Sequence, residues 1–132
     1  MGVDALIYIH TTDGQDPSIE FGLPPGVESV RRCDNDDFLA DAIGEHCGVR
    51  PTHEVRTGWR HYGPGYERGP WPDIAAVLMR LMQAPNVDIV WYDGDSGWEL
   101  ARMDASRLLE ITTHWLANGT QPYSRLFEEF LK

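Results

Sequence analysis

The segment from His53 to Tyr92 changes its hydrophobic period twice, and these changes limit the folds that the chain can adopt. Residues 53–62 alternate between more apolar and more polar side chains, which indicates a half-buried β-strand. Residues 72–82 carry apolar side chains at helical spacing, with Pro72 at the expected start of the helix, and residues 87–92 are a second apolar run rich in β-branched and aromatic residues. A strand, a helix and a strand in this order predict a right-handed β-α-β crossover packed on a sheet.

The residues before this unit predict two strands and one helix. Residues 3–9 indicate a first strand, and residues 27–33 indicate a shorter second strand. Asp34 suits the N-cap of a helix that ends before Gly48. The residues that share the apolar face of this helix are Phe38, Leu39, Ala42 and Ile43.

The residues after the unit predict a hairpin and two more helices. A turn at residues 93–97 joins the strand at 87–92 to a partner strand at 98–103, and Asp104 suits the N-cap of a long helix. The predicted buried side of this helix consists of Leu108, Leu109, Ile111, Thr112, Trp115 and Leu116. Residues 123–131 have the spacing of a short amphipathic helix. Two roles fit this last helix, docking on the core or a homodimer contact through Tyr123, Phe127 and Phe130.

The predicted fold class is α+β, with α/β as the alternative. The element order is β-β-α-β-α-β-β-α-α, which gives a small mixed sheet of about four to five strands with about three to four helices. Since no repeat or linker divides residues 1–132, we expect a single globular domain.

Composition and charge argue against several classes of function. The 11 basic and 21 acidic side chains give a net charge of −10, which argues against direct binding to nucleic acid or to an anionic membrane. No apolar run reaches the roughly 18 residues that a membrane span requires. The absence of a signal-peptide pattern and the presence of only two cysteines predict a soluble, cytoplasmic protein with reduced thiols.

Residues 57–73 have the most unusual composition in the chain, with two Trp, two Tyr, two Arg and one His among four Gly and three Pro. Gly63-Pro64-Gly65 fits a type II turn. Arginine guanidinium groups bind phosphate or carboxylate with paired hydrogen bonds, and aromatic rings stack on flat ligands. The sequence therefore predicts a site for an anionic or nucleotide-like small ligand. The predicted ligand-binding residues are Arg60, His61, Tyr62, Tyr66, Glu67, Arg68, Trp91, Asp93 and Asp95.

Three other interpretations fit the same sequence. In the first, Trp59 and Trp71 fill the core and the arginines pair with acidic neighbours, so the segment has only a structural role. In the second, the acidic chain is an antagonist or accessory protein that binds a basic protein partner. In the third, the chain is a small hydrolase or transferase. Its acid–base groups would be His61, Glu67 and Asp93 or Asp95.

The sequence predicts no metal and no cofactor. Asp93, Asp95 and Glu99 miss the spacing of a calcium-binding loop. The cysteines and histidines match no zinc-binding spacing, and the chain contains no phosphate-binding Gly-rich loop with its lysine.

Overall fold

A five-stranded sheet with helices on both faces forms the fold in the computed structural model, which describes residues 3–19, 22, 27–61, 71–93 and 100–118. The elements are β1 (Val3–Thr11), β2 (Val27–Arg32), α1 (Phe38–Cys47), β3 (His53–His61), α2 (Trp71–Gln83), β4 (Val87–Asp93), β5 (Leu100–Arg102) and α3 (Ala105–Asn118). The strand order is β2-β3-β1-β4-β5, and every described pairing is antiparallel. No helix in the described part of the chain is long and apolar enough to cross a membrane.

The predicted α+β class is confirmed, but the sheet is antiparallel at each described pairing where we expected a mixed sheet. The reason lies in the position of β1, whose Ile7 pairs with Val55 of β3 on one side and Tyr92 of β4 on the other. Strands β3 and β4 therefore run in the same direction on either side of β1, and α2 connects them in the chain. The expected β-α-β connection from β3 through α2 to β4 is present, and β1 lies between the two strands that it joins. The helix predicted at residues 123–131 lies outside the described residues.

Alternate side chains of the central strands divide the core into two clusters on opposite faces of the sheet. Ile7 and Ile9 of β1 are fully buried against the α2 face. Tyr8 points to the other face, where α1 packs. Because helices cover both faces, β1 and β4 are apolar along nearly their whole length.

The alternation predicted for β3 holds for its described side chains, with one exception. His53 and Val55 are buried on the α2 face and Arg56 is exposed. Glu54 is also buried, with 8% of its surface exposed. Arg31 Nη2 donates to its Oε2 at 2.6 Å, and Arg56 Nε lies 3.3 Å from its Oε1. These ion pairs compensate the carboxylate for the loss of water.

The N-cap of α1 is Asp37, so the prediction of Asp34 was wrong. Asp37 Oδ1 accepts a hydrogen bond from the Ala40 N–H at 3.0 Å. Asp34 Oδ1 accepts instead from the Asp36 N–H at 2.9 Å, in a turn that precedes the helix. The predicted end of the helix is confirmed, because Gly48 adopts φ = 78° as its C-cap.

The buried face of α1 also differs from the prediction. Ala40 and Ile43 are 0% and 4% exposed, whereas Phe38, which was expected on the same apolar face, is 68% exposed. Ala40 and Ile43 are three residues apart and therefore face the sheet together. Phe38 is the first residue of the helix and lies outside this face.

Helices α2 and α3 confirm most of their predicted features. Ile74, Val77, Leu78 and Leu81 are all fully buried, and Pro72 lies in the first turn of α2. At the start of α3, the predicted N-cap is confirmed by a hydrogen bond from the Arg107 N–H to Asp104 Oδ1 at 2.8 Å.

Leu109 of α3 was predicted to be buried, and this was wrong, since 68% of its surface is exposed. The neighbouring Leu108 packs partly buried against the core. Successive residues of a helix point about 100° apart, so the packing of Leu108 turns Leu109 away from the core.

Candidate functional site

Three residues of the predicted site lie at one end of the sheet. At this end β1 begins, while β3 and β4 on either side of it both end. Arg60 pairs with Asp4 and His61 with Val3 across the β3–β1 ladder. Asp93 pairs with Leu6 across the β1–β4 ladder. The fold thus places the backbone of Arg60, His61 and Asp93 around the start of a single strand.

Helix α2 begins at the same end of the sheet. Its 13 residues have a length of about 20 Å, comparable to that of a strand of the sheet. A short turn then connects its last residue, Gln83, to β4, and the Val87 N–H donates to the Ala84 carbonyl at 3.1 Å within that turn. Since the end of α2 lies beside the start of β4, its first residue, Trp71, lies toward the end of β4.

The backbone positions at this end are separated by two strand spacings. Strands β3 and β4 are separated by β1, which gives a lateral spacing of about 10 Å. Arg60 and Asp93 pair with residues of β1 that are two positions apart, which adds about 7 Å along the strand. The two backbone positions are therefore roughly 12 Å apart.

The remaining predicted site residues divide into two groups. Tyr62, Tyr66, Glu67, Arg68 and Asp95 lie outside the described residues. Trp91 is described, and it is a core residue with 1% of its surface exposed, in the cluster that packs against α1. Within the described structure its indole Nε1 makes no hydrogen bond of normal geometry. Burial raises the pKa of the Cys47 thiol, and the neighbouring Trp91 indole offsets part of that rise.

A partly buried polar network on the α1 face of the sheet was not predicted. Tyr8 donates its hydroxyl hydrogen to Asp37 Oδ1 at 3.4 Å, and Asp37 Oδ2 lies 3.9 Å from Arg31 Nη2. Burial raises the pKa of the free Cys33 thiol to about 12 and raises the pKa of Tyr8 as well. Both groups are therefore protonated at neutral pH, and Cys33 is not an activated nucleophile. The network holds the start of α1 against the sheet.

A second unpredicted network lies at the opposite end of the sheet. His53 is 1% exposed, its Nε2 lies 3.2 Å from Asp16 Oδ1, and its Nδ1 lies 2.8 Å from Thr52 Oγ1. In the tautomer that carries its proton on Nε2, facing the Asp16 carboxyl, Nδ1 is the acceptor in the contact with Thr52 Oγ1. Thr52 Oγ1 in turn accepts from the Thr11 N–H at 2.9 Å. The contact between His53 of β3 and Asp16 attaches the loop after β1 to the sheet.

Asn86 strengthens the attachment of the same loop. Its side-chain Oδ1 accepts from the Ser18 N–H at 2.8 Å, and its Nδ2 donates to Asp13 Oδ1 at 3.1 Å and to the Asp16 carbonyl at 3.0 Å. The hydrogen bond from Asn86 holds the pKa of the Asp13 carboxyl below its usual value. The polar groups at this end are thus bonded to one another.

The free energy of unfolding should fall as the pH drops below the ordinary His53 pKa of 6.5, because burial lowers the folded-state pKa of His53. As the pH falls, the unfolded chain binds the proton first. The free energy of unfolding therefore decreases from pH 6.5 down to the lower folded-state pKa of His53. Urea unfolding at several pH values between about 7.5 and 5.5 measures this slope.

The matched variants for this test are His53→Gln and His46→Gln, the second on the exposed surface of α1. We expect the slope to be smaller in His53→Gln than in His46→Gln. Equal slopes in wild type and His53→Gln would contradict the assignment of a neutral, buried His53.

Within the described residues, no group of three or more His, Cys, Asp or Glu side chains is arranged to hold a metal ion. Comparisons of the chain with protein-family models, with curated proteins and with solved structures found no match.

Proposed function

We propose that the chain binds an anionic, nucleotide-like small ligand at the sheet end where β3 and β4 terminate and α2 begins. The observation that supports this proposal most directly is the convergence of Arg60, His61 and Asp93 around the start of β1.

The topology supports this location for the proposed site. In open parallel α/β sheets, ligands bind beyond the carboxyl ends of the strands, and this antiparallel sheet contains a pair of strands that run in the same direction and are joined by a helix. Here those strands are β3 and β4, and the crossover helix is α2. The first turn of α2 offers backbone N–H groups and the positive end of the helix dipole, although Asp73 in that turn competes for the same field.

The two segments that carry the other predicted ligand-binding residues follow directly after β3 and β4 in the chain. Residues 62–70 join His61 to Trp71, and residues 94–99 join Asp93 to Leu100. In the proposal, Arg60 and Arg68 bind the anionic group of the ligand with paired hydrogen bonds. Tyr62 and Tyr66 supply rings for stacking on a flat group.

The alternative functions have less support. Acid–base chemistry by His61 with Asp93 would require contact between positions on two strands separated by β1, about 10 Å laterally. Binding to a basic protein partner is supported only by the net charge of −10, and acidic surfaces are also common for solubility. Ligand binding therefore accounts best for the Arg and aromatic residues.

Isothermal titration of the chain with ATP, AMP and inorganic phosphate tests the proposal. We expect at least one of the three to bind, and Arg60→Ala to weaken binding by about tenfold or more, since a charge-assisted hydrogen bond contributes roughly 1.5–3 kcal/mol. Arg68→Ala should have a similar effect. Arg32→Ala is the control, because Arg32 Nη1 donates to the Gly14 carbonyl in the loop after β1, at the other end of the sheet. If none of the three probes binds, the proposal is wrong.

A further inference from the structure

An apolar groove of about 330 Å³ lies between α2 and α3. Its described apolar lining consists of Met79, Met82, Ala105, Leu108 and Leu109. Two of these side chains are unusually open to solvent, Leu109 with 68% and Met79 with 46% of their surface exposed. A single exposed leucine is ordinary on a protein surface, but here it forms part of a continuous apolar groove between two helices.

We propose that residues 123–131 fold into a helix that packs in this groove of the same chain. The apolar side chains of the segment, Tyr123, Leu126, Phe127, Phe130 and Leu131, repeat at i, i+3, i+4, i+7 and i+8. A helix with this repeat has one wide apolar face and needs a surface to cover it. So short a helix is not stable alone in water, so its folding depends on such a contact.

The length of the chain after α3 fits this position. Helix α3 ends at Asn118, and four residues separate it from Tyr123. Connections of about 2–8 residues are usual between neighbouring antiparallel helices. A helix over residues 123–131 would be about 13 Å long, and Leu109 lies about 13 Å from the end of α3. The returning helix therefore reaches Leu109 and the groove beside it.

The same chain is favoured over a second copy as the source of this helix. The short connection after Asn118 holds the segment at an effective concentration in the millimolar range beside α3, for a flexible linker of this length. A second copy of the chain would have to reach a comparable concentration in solution to compete. The proposal concerns a surface away from the proposed ligand site and does not depend on it.

Hydrogen–deuterium exchange of the full chain, read by mass spectrometry on the peptide covering residues 119–132, tests the proposal. We expect the wild-type peptide to be protected, and Leu109→Asp to accelerate its exchange by about tenfold or more by releasing the helix. Phe38→Asp is the matched control, because Phe38 has the same exposed fraction of 68% but lies on α1. It should leave the exchange of this peptide unchanged.

Light scattering of the same samples distinguishes a groove filled by the chain's own helix from a groove filled by a second copy of the chain. The proposal requires a monomer in the wild type, with protection of residues 119–132 that does not change with protein concentration. A wild-type peptide that exchanges as fast as unfolded chain would overturn the proposal, as would a dimer that Leu109→Asp dissociates. If Leu109→Asp fails to fold, Phe127→Ser in the full chain provides the reciprocal test. It should accelerate exchange in the peptide that covers residues 105–112, and no change there would also overturn the proposal.

Discussion

Replacement of Trp91 by alanine is expected to lower the free energy of unfolding by about 3–5 kcal/mol. Trp91 is 1% exposed and belongs to the core cluster that also contains Tyr8, Ile43 and Ile89. Removing the indole takes a large apolar surface out of the core and leaves a cavity that the sheet and α1 can fill only in part. A loss of this size is a large part of the stability of an ordinary domain.

Urea unfolding of the wild type, Trp91→Ala and Trp91→Phe measures this effect. Phenylalanine keeps one aromatic ring in the cluster, so we expect Trp91→Phe to lose clearly less stability than Trp91→Ala. Trp91→Phe should also bind the ligand probes as the wild type does, if the role of Trp91 is to pack the core. A loss of less than about 1 kcal/mol for Trp91→Ala would contradict this role, since that is the typical effect of an ordinary substitution.

Replacement of Ile43 by alanine is expected to cost about 2–4 kcal/mol, whereas Phe38→Ala should cost less than about 1 kcal/mol. Both residues belong to α1, and the sequence predicts both on its apolar face. Ile43 is 4% exposed and packs with the core, while Phe38 is 68% exposed at the start of the helix. The difference between the two variants therefore measures which face of α1 contacts the sheet.

Thermal or urea unfolding of both variants gives the comparison directly. Because phenylalanine is the larger side chain, a rule based on residue size alone predicts the opposite order. A larger loss for Phe38→Ala than for Ile43→Ala would show that α1 packs with a different face.

Local chemistry made most of the elements predictable. Asp104 as N-cap, Gly48 as C-cap and Pro72 in a first helical turn are each decided by the residue itself and its nearest neighbours along the chain. The errors at Asp34 and Phe38 have a different origin. Several aspartates precede α1, and each is a good N-cap by itself. Which aspartate caps the helix, and which face it buries, depends on contacts with the sheet.

The neighbour relations within the sheet were not predictable from local patterns. Nothing in residues 3–9 indicates that their strand lies between β3 and β4, because the alternation within a strand does not specify its partners. The two polar networks were missed for the same reason. Tyr8 and Asp37 are 29 residues apart in the chain and contact only after the fold has formed.

The candidate site was predicted in its chemistry and not in its geometry. Arg60, His61 and Asp93 have side chains suited to ligand binding and lie near predicted turns, but the sequence alone does not determine the distance between their two segments. Their common position at one end of the sheet follows from the pairing of β1 with both β3 and β4. The burial of Trp91 was likewise decided by the packing of α1 on that face.

Backbone amide chemical shifts, recorded by NMR while the chain is titrated with ATP, AMP or inorganic phosphate, test the location of the site most directly. A ligand bound where β3 and β4 end should shift the amides of Arg60, His61 and Asp93 and of Trp71 at the start of α2. The amides of Thr12 and Asn86, which are joined by a 2.8 Å hydrogen bond at the opposite end of the sheet, should stay unchanged. Shifts centred on Thr12 and Asn86, or no shift with any of the three probes, would contradict a ligand site at this end.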